Sequence, residues 1–302
     1  LGGGWAFYRP FALILVGFTF WILGVLGLIP NSGAGVLVAV LIVALVSIWV
    51  LHGNKKQFIS EISRSQRSIL LRELIFGIGF LIVVLIRGTN PDIAGTEKPM
   101  EMMFINSILR SDTLPPADGW LSGYSISYYY FGYLITALLV QLSRVPSEVG
   151  FNLMLATVFG MASAGAFELV NEWLNQRAGH RQAHVRIFGG ALFAPVFVLI
   201  LGNLEGLFES LHSLHIGWTA EGTSGFWSWL GLKELVDAPR LSASIDPTAR
   251  PGIWWWRASR VLSDMGLDGT SHEVIDEFPF FSFYLGDLHP HVIAIPFVLL
   301  AI

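Results

Sequence analysis

Five blocks of the chain, residues 11–29, 35–51, 149–170, 187–202 and 280–302, are apolar over lengths that match the hydrocarbon core of a bilayer. Roughly 17–25 mostly apolar residues make one helical crossing. Residues 69–86 form a sixth block, with Arg72 and Glu73 near its start, where charged side chains reach the interface or pair. Backbone in lipid must satisfy its hydrogen bonds internally. The predicted fold is therefore all-α, a polytopic transmembrane helical bundle of about six spans. Composition agrees: 53% of the 302 residues are hydrophobic and 13% are charged, about half the charged share of a soluble domain. That balance, with a mean hydropathy of +0.61, disfavours a soluble enzyme and excludes a disordered chain. A net charge of −4 argues against a nucleic-acid partner. The absence of cysteine removes disulfides, thiolate nucleophiles and Cys-type metal sites. Because the chain opens at Leu1 and ends at Ile302 within an apolar run, it reads as a piece of a longer protein.

Loop charge predicts sidedness, since Lys and Arg gather on the cytoplasmic side. Between the second and third spans, Lys55, Lys56, Arg64 and Arg67 outweigh Glu61. In 171–186, Arg177, Arg181 and Arg186 outweigh Glu172. Both loops are expected to be cytoplasmic. Segment 87–123 holds five acids against three bases, and 204–279 holds eleven against five, so both are expected to be extracytoplasmic. A seventh apolar stretch, 124–142, begins YSISYYYFGY; counting it as a crossing would break the charge pattern. It is therefore read as an interfacial or re-entrant helix, a depth that suits Tyr, with a seventh crossing as the alternative. On this reading residues 1–68 are two spans plus a basic loop. Residues 69–302 are the membrane core, with outer loops 87–148 and 204–279.

Three constellations carry chemistry. In 95–116 (GTEKPMEMMFINSILRSDTLPP), Pro99 suits a helix first turn and Thr96 a cap, which predicts an amphipathic surface helix over about 98–110. Glu97 and Glu101 share one side at its start, where the helix dipole favours carboxylates. They read either as a general base or cation ligand, or as capping residues on a solvated acidic face. In 127–133, the run Tyr128, Tyr129, Tyr130 must point its hydroxyls in several directions. It reads as a sugar-stacking or lipid-phosphate surface, or as an interfacial aromatic belt. In 277–292 (EFPFFSFYLGDLHPHV), Asp287, His289 and His291 alternate, with Pro290 stiffening the turn. This set is a candidate for a divalent metal or a phosphate, with structural hydrogen bonding as the alternative. Elsewhere, 160–165 offers small residues for helix packing, and WWWR at 254–257 is a sugar-stacking site or an interface anchor.

On these motifs, with FNLMLATVFG (151–160), GNLEG (202–206) and WWWRASRV (254–261), residues 69–302 resemble the "YYY-domain" (Chlor_Arch_YYY) family of polytopic membrane proteins. That family is similar in layout to the GT-C superfamily of integral-membrane glycosyltransferases. The resemblance implies a catalytic acid after a leading helix, then a surface helix, a Pro-Pro segment and a second surface helix. On this sequence those parts are Glu97 after 69–86, then 98–110, Pro115-Pro116 and 124–142. Where GT-C enzymes usually show Asp-Glu or Asp-x-Asp, this chain has Glu97-Lys98 and Glu101.

The expected function is sugar transfer from a polyprenyl-phosphate-linked donor to an acceptor hydroxyl on the outer face. Glu97 would serve as base, assisted by Glu101, and Tyr128–Tyr130 would shape the sugar site. Arg110, Asp287, His289 and His291 would receive the phosphate or a divalent metal. Membrane lipids and other membrane subunits are the expected partners. The alternative is a non-catalytic structural subunit of a larger membrane complex. A transporter ranks last, because the acids cluster at one face rather than at the bilayer midplane.

Overall fold

The computed structural model describes residues 4–178, 189–232, 235–239 and 258–302. It is a helical membrane bundle, as the apolar blocks predict. Four helices are long and apolar enough to cross a membrane, five if Gly189–Leu201 and Glu205–Ser213 count as one bent span. The helices are α1 Tyr8–Val25, α2 Gly33–His52, α3 Lys55–Thr89, α4 Lys98–Arg110, α5 Phe131–Ser143 and α6 Ser147–Ala178. There follow α7 Phe193–Val196, α8 Glu205–Ser213, α9 Gly225–Leu230, α10 Pro279–Leu285 and α11 Pro290–Ala301. Contacts divide the chain into two compact units, Leu1–Leu199 with Ser282–Ile302, and Ile200–Phe281.

In the first unit α6 is the axis: 78% of its apolar window is buried, against 17–22% for α1, α2 and α3. Its sequence is apolar on every side, as a fully surrounded helix requires, and it packs on α3, α5 and α11. The small residues at 160–165 explain how closely. A Cβ on Gly160 would lie 2.8 Å from the carbonyl oxygen of Phe76, and one on Gly79 would meet Ser163 Oγ at 2.8 Å. Backbones approach in this way in the absence of a hydrophobic force between helices in lipid.

The charges at the start of the 69–86 block are paired. Arg72 on α3 binds Glu168 on α6, their side chains 7% and 2% exposed. The second Glu168 oxygen accepts from Gly4 N–H at 2.8 Å. Glu73 is bound by Arg9 and by the Tyr8 hydroxyl. At the other end of the same helix pair, Arg87 Nε donates to Asn152 Oδ1 at 2.7 Å. The bundle is thus tied by polar groups near both ends of its central contact.

Several expectations change. The basic segment 55–68 is helical and continuous with 69–86, giving a 35-residue α3 that runs through residue 68; at 1.5 Å per residue it is about 52 Å long, well beyond the hydrocarbon thickness. The 124–142 helix begins only at Phe131, and residues 133–138 and Val140 are buried. Thirteen residues reach about 20 Å, too short to cross, and the apolar surface is used by protein neighbours rather than left at an interface. The expected span 280–302 is two helices, broken at Gly286 (φ +80°) and restarted by Pro290. The basic residues Arg181 and Arg186 lie outside the described residues.

The second unit holds α8, α9 and a two-stranded antiparallel hairpin, Ser263–Met265 with Ser271–Glu273. Its core is Trp227, 1% exposed, whose Nε1 donates to the Ile216 carbonyl at 2.9 Å and whose ring stacks on Trp218. Glu205, Glu209 and His212 are buried on α8. The WWWR motif at 254–257 lies outside the described residues.

Candidate functional site

Two stretches almost two hundred residues apart in sequence meet in the first unit. One is the turn into α4, residues 95–101; the other is the turn between α10 and α11, residues 286–289. Gly286 sits here because nothing else fits: its backbone is left-handed, and a Cβ would lie 2.6 Å from Arg87 Cζ. The chain can therefore fold back tightly over the end of α3 and present Asp287, Leu288 and His289 to α4.

Four side chains join the stretches. Thr96 Oγ1 donates to Asp287 Oδ1 at 2.6 Å. Lys98, buried, donates from Nζ to the Leu285 carbonyl at 2.8 Å and lies 4.0 Å from Asp287 Oδ1. Glu101, fully buried, accepts the Leu288 N–H on Oε2 at 2.8 Å. Glu97, the residue capping α4, places a carboxylate oxygen 3.3 Å from His289 Nε2. The expected meeting of the acidic helix start with the D-x-H-x-H turn is observed.

Burial sorts the acids. The Glu97 side chain is 54% exposed and open to a reactant. Glu101 is not. Burial, reinforced by the nearby Asp287 and Glu97 carboxylates, pushes the Glu101 carboxyl up to about 8 against the pull of Leu288 N–H and Lys98. Asp287 is also raised, by burial first, with Thr96, Lys98 and His289 opposing. Glu101 Oε1 and the buried Tyr133 hydroxyl have no hydrogen-bond partner among the described residues.

A pH dependence follows. Glu101 ionises near its ordinary 4.5 when unfolded and near 8 when folded. The native state therefore binds the proton more tightly. Its contribution is full below about pH 4.5, declines as pH rises, and is lost by about pH 8. Over that range the loss is of the order of a few kcal/mol. Glu101→Gln cannot ionise and is expected to flatten this decline in thermal unfolding between pH 5 and 8. Parallel profiles for the two proteins would place the dependence on other groups, Asp287 first.

The remaining predicted residues divide. His291 is exposed, its ring stacked 5.2 Å from that of His289, with Nε2 3.4 Å from Ser282 Oγ. Asp287, His289 and His291 do not form a metal cage, and no group of three His, Asp or Glu side chains is so placed among the described residues. The D-x-H-x-H spacing fails as a chelate because Asp287 turns inward onto Thr96 and Lys98 while His289 turns onto Glu97. Arg110 is corrected too: it is exposed at the far end of α4, about 14 Å along the axis from Glu101. The tyrosines do diverge. Tyr128 stacks on Phe104 of α4 at 5.3 Å, Tyr129 is exposed, and Tyr130 Oη accepts from Trp21 Nε1 at 2.7 Å. Thr96, Lys98, Arg87 and Tyr133 were missed as parts of the site. Arg87 alone left a local sign, as a charge closing an apolar run.

No curated protein matches the chain, and no solved structure does. One family model does match, over residues 15–302. The membrane bundle and the match together establish that the chain belongs to the DUF2298 family of uncharacterized membrane proteins.

Proposed function

We propose that the protein is a GT-C-like membrane glycosyltransferase, moving a sugar from a polyprenyl-phosphate-linked donor to an acceptor hydroxyl on the extracytoplasmic face. The observation that carries the reading is the Glu97–His289 pair, an accessible carboxylate and an imidazole 3.3 Å apart beside the ends of apolar helices. In the step, the acceptor oxygen attacks the sugar C1 and its proton passes to Glu97. The bond from C1 to the phosphate oxygen breaks, and the electron pair leaves with polyprenyl phosphate. In this reading His289 and His291 would meet that anion. Tyr128 and Tyr129 offer ring faces to the sugar. Glu101 is a positioning residue, holding Leu288 and thereby setting His289.

Transfer is tested with the purified protein in vesicles carrying labelled hexosyl and pentosyl polyprenyl phosphates and a panel of soluble alcohols. Label is expected to reach an acceptor with equal release of polyprenyl phosphate. No release from any donor, with no such lipid co-purifying by mass spectrometry, would overturn the reading. The second reading, a non-catalytic subunit of a membrane complex, is favoured by one feature: Thr96, Lys98 and Glu101 are all committed to protein partners. A membrane partner recovered at fixed stoichiometry, without transfer, would select it.

A further inference from the structure

Beside the site, the end of α3 and the start of α6 leave a hollow of about 560 Å³, lined by Val84, Pro91, Ile93, Val149 and Leu153 together with Arg87, Asp92, Glu148 and Asn152. A second hollow of about 400 Å³ shares Leu153 and is lined by Phe80, Leu139, Leu142 and Met154 among others. Phe80 and Val84 are one turn apart on α3, so the two adjoin along the helix. Taken together they make a trough, charged at its helix-end mouth and mostly apolar along its length, where Thr136, Ser143 and Thr157 also line it. The shape suits an amphiphile standing beside a spanning helix, with a chain against Val84, Leu153 and Phe80 and a headgroup at Arg87.

The charges at the mouth select the headgroup. Arg87 supplies one cation, held in place by Asn152 and by the Asp92 carbonyl, which accepts from Nη2 at 3.0 Å. Asp92 and Glu148 supply two exposed carboxylates. A purely anionic head would gain one guanidinium and face two carboxylates. A head with both signs is matched on both. The carboxylates accept N–H hydrogen bonds, which a primary ammonium donates and a quaternary one lacks. A choline head would instead want aromatic faces, and among the described residues no aromatic one lines the mouth hollow. We propose that this trough is a binding site for a phosphatidylethanolamine-type lipid, with phosphate at Arg87 and ammonium between Asp92 and Glu148. It shares Arg87 with the back of the Gly286 turn but uses neither Glu97 nor His289, and it stands whether or not the protein transfers sugar.

The test uses the full chain reconstituted in vesicles of equal phosphatidylethanolamine, phosphatidylcholine and phosphatidylglycerol with identical acyl chains. The protein is re-extracted in mild detergent, and retained lipid is quantified by mass spectrometry. Phosphatidylethanolamine is expected to be enriched about fivefold over each of the others. Asp92→Asn with Glu148→Gln, exposed changes that leave the bundle intact, is expected to abolish the preference. Leu153→Trp, which fills the trough, is expected to lower total retention. Equal retention of the three lipids, preference for phosphatidylglycerol, or enrichment unchanged in the carboxamide variant would each overturn the proposal.

Discussion

Glu168→Leu is expected to destabilise the bundle by about 3–5 kcal/mol, the cost of leaving one member of a buried ion pair without its partner. The Arg72 guanidinium would remain in the α3–α6 contact with its carboxylate gone, and the Gly4 amide would lose its acceptor. Paired charges in water contribute little, but this pair is almost wholly removed from solvent, and an unpaired buried charge is expensive. The double variant Arg72→Met with Glu168→Leu removes both charges and is expected to recover most of the loss. Thermal unfolding of the three proteins in one detergent measures the effect. A single variant no less stable than the double would show that the pair does not act as a unit.

The second large effect is on chemistry. If the transfer reading holds, Glu97→Gln is expected to lower turnover by roughly 10²–10⁴-fold, the usual contribution of a positioned base, with folding and donor binding intact. Glu97 is half-exposed at the head of α4 and accepts no backbone bond that an amide would lose. His289→Ala is expected to reduce turnover as well. Arg110→Ala is expected to leave it unchanged, since that side chain points to solvent at the other end of the helix. Undiminished transfer by the Glu97→Gln protein would remove the base assignment while leaving the membrane fold untouched.

Much of this was legible in the sequence because hydrophobicity is a local property. The blocks 35–51, 69–86 and 149–170 each lie within a long helix, 11–29 does so as far as Val25, and the small-residue run at 160–165 announced the close packing of α6. The meeting of 95–101 with 286–289 was also foreseeable, since loop charge put 87–123 and 204–279 on one face and 286–289 follows just after the second. What hydropathy averages away is a short break: Gly286 to His289 interrupts an apolar run without lowering its mean enough to show. Burial of polar groups was hidden for a different reason. Lys98 and Glu101 sit in a helix that reads as amphipathic, and the carbonyl of Leu285, the Asp287 carboxylate and the amide of Leu288, arriving from far along the chain, make the interior tolerable for them. In the 124–142 stretch hydropathy did not show that the Tyr-rich start delays the helix to Phe131, or that the short apolar part is enclosed by protein.

The two polar ties of the α3–α6 contact, Arg72 to Glu168 and Arg87 to Asn152, lie about 23 Å apart along each helix. Two dowels at that spacing fix one antiparallel alignment. Sliding α3 by a single turn, or rolling it, would shear both at once and strand two guanidinium groups. Piston or ratchet movements are therefore closed to this pair.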